Sequence, residues 1–495
     1  MALPRGPRLR FGAALLLGAA GCAPGLPSPG AGSPAASSAP HVPWTPPAPS
    51  AAPAAAPPVT EQVPADLAER LRRLTVADVV DLALRNNPAT VQAWANARAA
   101  AAAYGASRSA YFPEVDLSGS ITRVKTAATS GRSAVTQTIY GPSATLSWLL
   151  LDLGGRSGAI EAARQALLAA DWTHNAAIND VVLQAQVAFY NYVATGALVA
   201  AQRSSVEDAK ANLAAAEARR EVGTATIADV LQSRTALSQA QLSLETTEGT
   251  RQTARGALAL ALGVPANLPY DVDSVTAPVP VGAVADSVDG LIARAVRDRP
   301  DLAAARANAA EAQARIRQLR GARLPSLTAT GDGGFTYIVN RVGGGSNYSI
   351  GLGLSVPLFN GFGREYSQQQ AEFLFDAAKA SERSLEQQVT YQVFSSYYAL
   401  QTATRSVQTA NDLLASAGQS AEVALGRYKA GVGTVLDLLS AQSALASARA
   451  QQIQARLSWQ TSLAQLAHDA GALDSKGRAD VRLAPDTPLN EKPPR

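Results

Sequence analysis

The chain has 495 residues, a formal net charge of +4 with 17% charged residues, and 5% aromatic residues. So balanced a charge excludes the basic surface that a nucleic acid needs, and no nucleic acid is expected as a partner. A single Cys excludes a disulfide within the chain, and three widely separated His residues (His41, His174 and His468) give no metal-ligand spacing, so no cofactor is expected.

Residues 1–21 open with Arg5, Arg8 and Arg10, continue through the apolar run FGAALLLGAA and end on Gly21 ahead of Cys22. A basic start, a short apolar core and a small residue before the cut describe a secretory signal. Because Cys22 follows at once, a lipoprotein-type signal peptide with acylation of Cys22, by palmitate among others, fits better than ordinary cleavage. Ala19 departs from the Leu usual three residues before such a Cys, and the alternative is a plain signal peptide with an incidental thiol. Ala23, not the retention residue Asp, follows Cys22, so the lipoprotein reading sends the chain to the lipid of the outer membrane. Residues 22–64 are Pro/Ala-rich with almost no charge, a composition that buries too little apolar surface to order itself, and read as a tether.

From Leu74 the pattern becomes helical. Val76, Val79, Val80, Ala83 and Leu84 recur at helical spacing behind Thr75, a predicted N-cap. Pro88 starts a second helix that reaches about Tyr111, since proline suits a first turn and disfavours continuation through it. After Pro113 the period changes to two. Val115, Leu117 and Ile121 alternate with small polar residues, as do Ala144, Leu146, Trp148 and Leu150, then Ile350, Leu352, Leu354 and Val356. Apolar on one face and small polar on the other fits a strand with lipid outside and water inside, although a soluble half-buried sheet alternates in the same way. Gly343 to Gly345 read as a hairpin loop.

Each pair of strands leads into a long segment without a proline, from Arg156 to Glu221 and from Arg364 to Ala430. At 1.5 Å per residue each is a helix of roughly 100 Å, too long for a compact domain. Val181 to Ala201 is uncharged, but Gln184, Gln186 and Asn191 interrupt it, and no transmembrane helix is expected. Both helices break at glycines, Gly223-Thr224 and Gly431-Val432-Gly433, with Thr or Gly opening helices that return from about Ile227 to Leu262 and from about Val435 to Ala470.

The two halves are copies. One offset pairs Leu146 with Leu354, Arg156 with Arg364, Gly223 with Gly431 and Asp229 with Asp437; a second, slightly different offset pairs Pro88 with Pro300 and Pro113 with Pro325. A single slip between fixed registers marks a loop of different length in a tandem duplication of about two hundred residues per unit. Residues 65–270 are the first repeat, 271–287 a connector, 288–473 the second repeat, and 474–495 a polar tail expected to be disordered. The fold class is mainly α with a small antiparallel β part. Four strands cannot close a membrane barrel and an open edge in lipid leaves unpaired backbone, so the chain must oligomerise; two, three or four copies give eight, twelve or sixteen strands.

LTVADVVDLALRNNP, the strand starts after Pro113 and Pro325, and the paired turns VGTATIADVL and AGVGTVLDLL closely resemble the TolC-type outer-membrane efflux channels, over about Leu74 to Ala472. The resemblance implies a homotrimer with a twelve-stranded membrane β-barrel and a trimeric α-barrel across the periplasm. It implies a passive exit duct for small molecules in a tripartite efflux or secretion system, with a periplasmic adaptor protein and an inner-membrane pump as partners. By that resemblance Gly223, Thr224, Gly431 and Val432 lie at the periplasmic tip and dock the adaptor. Asp229 and Asp437, six residues beyond their glycines, form acidic pore-lining rings in three copies, or else cap their helices or pair with an Arg such as Arg234. The competing reading is a non-conducting coiled-coil envelope lipoprotein acting as tether or spacer, which would show an unbroken heptad seam and no strand pairs. No GxSxG, Walker or HExxH pattern occurs, and no enzyme is expected.

Overall fold

A computed structural model describes residues 39–45, 74–127, 134–267, 270, 272, 286–339 and 344–473. The signal sequence, Cys22 and the tail lie outside the described residues. The first unit comprises α1 (Val76–Asn86), α2 (Pro88–Ser107), a 3-10 turn (Arg108–Tyr111), β1 (Glu114–Thr126), β2 (Val135–Leu151), α3 (Gly155–Glu221) and α4 (Ile227–Leu262). The second repeats that order as α5 (Val288–Asp298), α6 (Pro300–Gly321), β3 (Ser326–Ile338), β4 (Gly344–Ser355), α7 (Gly363–Lys429) and α8 (Val435–Asp469).

The helix boundaries follow from local chemistry. Thr75 forms a capping box with Asp78, satisfying two free donors at the start of α1. Asn87 closes α1 and caps α2 through Ala89, while Pro88 occupies the first turn, where its missing N–H costs nothing. The helix predicted to run to Tyr111 tightens into the 3-10 turn after Ser107.

The four strands form one antiparallel sheet in the order β1-β2-β3-β4. The duplication is visible in the pairing: Val115 faces Leu146 in the first hairpin, and their counterparts Leu327 and Leu354 face each other in the second. Pro142 sits inside β2, where pairing with β3 is interrupted and the chains approach so closely that a Cβ at Gly141 would overlap the carbonyl of Phe335. The glycine run read as a loop is partly strand, since Gly344 and Gly345 pair with Tyr337 and Thr336. Its small residues permit a strand that polar-turn composition argued against.

Below the sheet α3 and α7, each 67 residues long, extend about 100 Å. They carry two matching cores. Val79, Val80 and Ala83 of α1 pack with Val182, Phe189, Leu258 and Leu262, and Leu291 and Ala295 of α5 pack with Val389, Val393, Leu400 and Leu466. Among the described residues no helix is long and apolar enough to cross a membrane.

The segment read as a tether is not free along its whole length. Trp44 is 5% exposed, edge-on to Trp172 of α3, and exchanges two backbone hydrogen bonds with the Asn175 side chain. His174 holds the carbonyl of Pro40 at 2.9 Å, and burial pushes its imidazole down into the neutral form. One aromatic residue supplies the apolar area that the surrounding Pro and Ala lack.

Candidate functional site

Two regions stand apart from the packed helices. The first is the sheet. Val115, Leu117 and Ile121, then Tyr140, Ala144, Leu146 and Trp148, then Leu327, Ala329 and Tyr337, then Tyr348, Ile350, Leu352 and Leu354 share one face by register. Leu117 is 83% exposed and Ile350 86% exposed, an apolar surface that water would not tolerate without a partner or lipid. Leu327 to Tyr337 covers about 33 Å of strand, which a tilt of about 40° turns into roughly 25 Å of height, the thickness of an outer-membrane apolar band. Stacked Tyr140 and Tyr337 mark one rim, and Trp148, whose indole donates to the Tyr111 carbonyl, marks the other. The opposite face is mainly Ser, Thr and Gly with Glu114, Asp116 and Asp332, and it bears no cationic side chain among the described strand residues; Arg123 and Lys125 fall on the apolar side of the register, beyond the Tyr140–Tyr337 rim. Asp116, Thr145, Asp332 and Ser349 lie in one row across the sheet.

Arg156 fastens this sheet to the helices. Its guanidinium donates to the carbonyls of Ala110 and Leu149 and stacks 4.5 Å over the Tyr111 ring, joining the 3-10 turn, the end of β2 and the start of α3.

The second region is the pair of helix tips. Gly223 and Gly431 have φ of +78° and +77°, which glycine adopts without a Cβ clash. At the first tip the Thr224 N–H and hydroxyl both donate to the Arg219 carbonyl; at the second the N–H groups of Val432 and Gly433 donate to the Arg427 carbonyl. The returning helices do not open on Thr224 or Gly433. Thr226 and Thr434 are the N-caps, each in a capping box with Asp229 and Asp437. The helices begin at Ile227 and Val435, where the sequence places them, but the opening residue was sought beside the glycines although T-x-x-D at both positions is itself a capping signal.

Both carboxylates are therefore tied to their own helix starts, and Arg234 pairs with Glu217, not with Asp229. Hydrogen bonds from Thr434 hold the Asp437 carboxyl below the usual range. Asp437 also lines an open groove of about 600 Å³ between α7 and α8 with Arg427, Val423 and Ser440. Gly223, Thr224, Gly431 and Val432 are all exposed.

Ties between the two tips carried no sequence signal. Arg219 on α3 donates to the Tyr428 carbonyl at 2.7 Å and lies 4.2 Å over its ring; Arg449 on α8 lies 3.8 Å from Asp208 on α3, and Asn212 bonds Gln442. Higher up, His468 on α8 bridges Asp180 on α3 and Asp469. Burial alone would lower this imidazole, but the two carboxylates overcome it and hold its pKa up at about 9. Among the described residues no group of three acidic, His or Cys side chains could hold a metal ion.

The chain matches the family model described as outer membrane efflux protein over residues 79–264 and 291–472. It is 31% identical to Protein CyaE of Bordetella pertussis, over 84% of this chain and 87% of that protein. It is 26% identical to the outer membrane efflux protein BepC of Brucella suis, over 70% of this chain and 74% of that one. Among solved structures, the Campylobacter jejuni CmeC outer membrane channel superposes with a TM-score of 0.71 at 22% identity, covering 80% of this chain and 85% of that chain. The outer membrane protein VceC of Vibrio cholerae gives a TM-score of 0.71 at 18% identity, with 80% and 96% covered.

Proposed function

The chain belongs to the outer membrane efflux protein family, a family of channels and not of enzymes, and we propose that it is the passive exit duct of a tripartite efflux or secretion system. Three copies would supply twelve strands around a water-filled lumen and six long helices in a tube through the periplasm. A periplasmic adaptor would dock on the exposed tips at Gly223, Thr224, Gly431 and Val432, and an inner-membrane pump would supply the energy. Asp229 and Asp437 would present their carboxylates around the mouth while capping their helices. Cys22, acylated, would add a lipid anchor ahead of the 22–64 segment, with residues 65–270 and 288–473 as the two efflux repeats.

The observation that carries this reading is the two-faced sheet. A coiled-coil spacer has no use for four strands whose one face carries an exposed apolar band and whose other face is mainly small and polar. Planar-bilayer recording of the purified protein tests it: discrete, cation-preferring conductance is expected, because the polar face carries only acidic charge. Folded protein that inserts but never conducts would favour the spacer. Cys22→Ser should abolish acylation, read by mass spectrometry, and leave assembly and conductance intact, since no strand or helix depends on the anchor.

A further inference from the structure

The charged side chains of the sheet are sorted by face. Among the described strand residues the acids Glu114, Asp116 and Asp332 lie on the polar face, and the cations Arg123 and Lys125 lie on the side of Leu117 and Ile121. Both cations are exposed, and no carboxylate shares their face among the described strand residues. A cation-preferring lumen accounts for the acids. It leaves Arg123 and Lys125 unexplained, since they face away from it.

Two placements set these cations at the level of lipid head groups. Along β1 they stand two and four residues past Ile121, which pairs with Tyr140 of the rim. At about 3.3 Å per residue and a tilt of about 40°, that brings them about 5 and 10 Å nearer the hairpin end. The duplication gives the level independently. The offset that pairs Pro113 with Pro325 also pairs Arg123 with Phe335 and Lys125 with Tyr337, two exposed rings on the same face. Such rings mark the head-group region of a membrane barrel. Unit one therefore holds cations where unit two holds aromatic side chains. The hairpin end is the outer end, because the helices all leave the opposite end of the sheet.

We propose that Arg123 and Lys125, with Thr138 and Thr136 opposite them on β2, bind the phosphate of a phosphorylated glycolipid in the outer leaflet, which rests on the reading of the sheet as part of a membrane barrel. The guanidinium offers a planar fork that fits two phosphate oxygens, the ammonium a compact charge, and each threonine a hydroxyl donor on the neighbouring strand. The stems of both cations run over apolar surface while their heads reach the phosphate level. The acyl chains of the same lipid lie on Leu117 and Ile121, 83% and 80% exposed. A phosphate free in water has no such second contact, so the occupant is a lipid. The site occurs once per copy, since the second hairpin has rings at the matching positions.

Native mass spectrometry of the full-length protein in detergent, titrated with bisphosphorylated lipid A and with the same lipid stripped of phosphate, tests the site. Wild type should bind the phosphorylated form about 25-fold more tightly than the double variant Arg123→Gln, Lys125→Gln, at about fivefold per cation. The two proteins should bind the stripped lipid alike. Planar-bilayer conductance of the variant should match wild type, because neither cation faces the lumen. Equal binding of the phosphorylated lipid by both proteins, or equal affinity of wild type for the two lipids, overturns the site while the conducting barrel stands. Protein that neither inserts nor conducts removes the barrel reading and the site with it.

Discussion

The two long helices α3 and α7 are equal in length and come from one duplicated unit, yet the chain treats them differently. Among the described residues of one copy α3 is packed by α1, α2, α4, α6 and α8, and α7 mainly by α5, α6 and α8, with α3 reaching it at the tip through Arg219 and Tyr428. Asp180 on α3 bonds His468, whereas its counterpart on α7 is the uncharged Gln388; Trp172, His174 and Asn175 hold the Trp44 segment, whereas Ala380, Glu382 and Arg383 stand at those positions on α7. In exchange α7 leaves Tyr366, Phe373, Leu374, Tyr391 and Phe394 exposed. Duplicated helices diverge when one is finished by its own chain and the other by a neighbour, so the asymmetry records where one copy ends.

The largest break in that comparison should come from Gly158→Ala. The added methyl meets the Gln318 backbone and not a movable side chain, so the α3–α6 contact should open at a cost of about 3 kcal/mol, seen as a lower thermal midpoint. Tyr366→Ala at the matching place on α7 should leave the protomer fold unchanged and weaken association, read by resistance of the oligomer to detergent. If both substitutions act on folding alike, α7 is not an intermolecular surface.

His468→Gln should cost about 2 kcal/mol, discounted because Asp180 is largely solvent-exposed. A folded pKa raised to about 9 means that the stabilisation is complete below the ordinary value near 6.5 and fades as pH rises through about 9. Wild-type protein should therefore lose stability between about pH 6 and pH 10 that the variant never had. Equal slopes for the two proteins would show that the bridge contributes nothing.

The tips are where the two units remain alike, and they sharpen the comparison by its exception. Gly223→Val and Gly431→Val should each cost about 1 to 2 kcal/mol, since a β-branched residue resists positive φ. Assembly should survive both. Efflux and adaptor cross-linking should fall, and unchanged docking would place the adaptor elsewhere on the tube.

Much of this fold is written locally. Thr75, Pro88 and the alternation after Pro113 each fix an element through a cap, a ring or a pleat, and the repeat of Arg156 as Arg364 exposes the duplication without any contact being known. The capping boxes at Thr226 and Thr434 were equally legible but lay behind more conspicuous glycines. The links that lock the site were not. Arg219 and Tyr428, or Asp180 and His468, lie more than two hundred residues apart, and nothing in their neighbourhoods distinguishes them from solvated side chains. Trp44 was hidden for the opposite reason, a single burying residue in a stretch whose average composition favours disorder.

The mass of the folded particle in detergent, measured by light scattering with the detergent contribution subtracted, tests the central claim most directly. Four strands with two open edges, and a long helix with one uncovered side, predict no folded monomer at any dilution, and the proposed twelve-stranded barrel predicts three copies per particle. A stable folded monomer, or a closed particle of two or four copies, would contradict it.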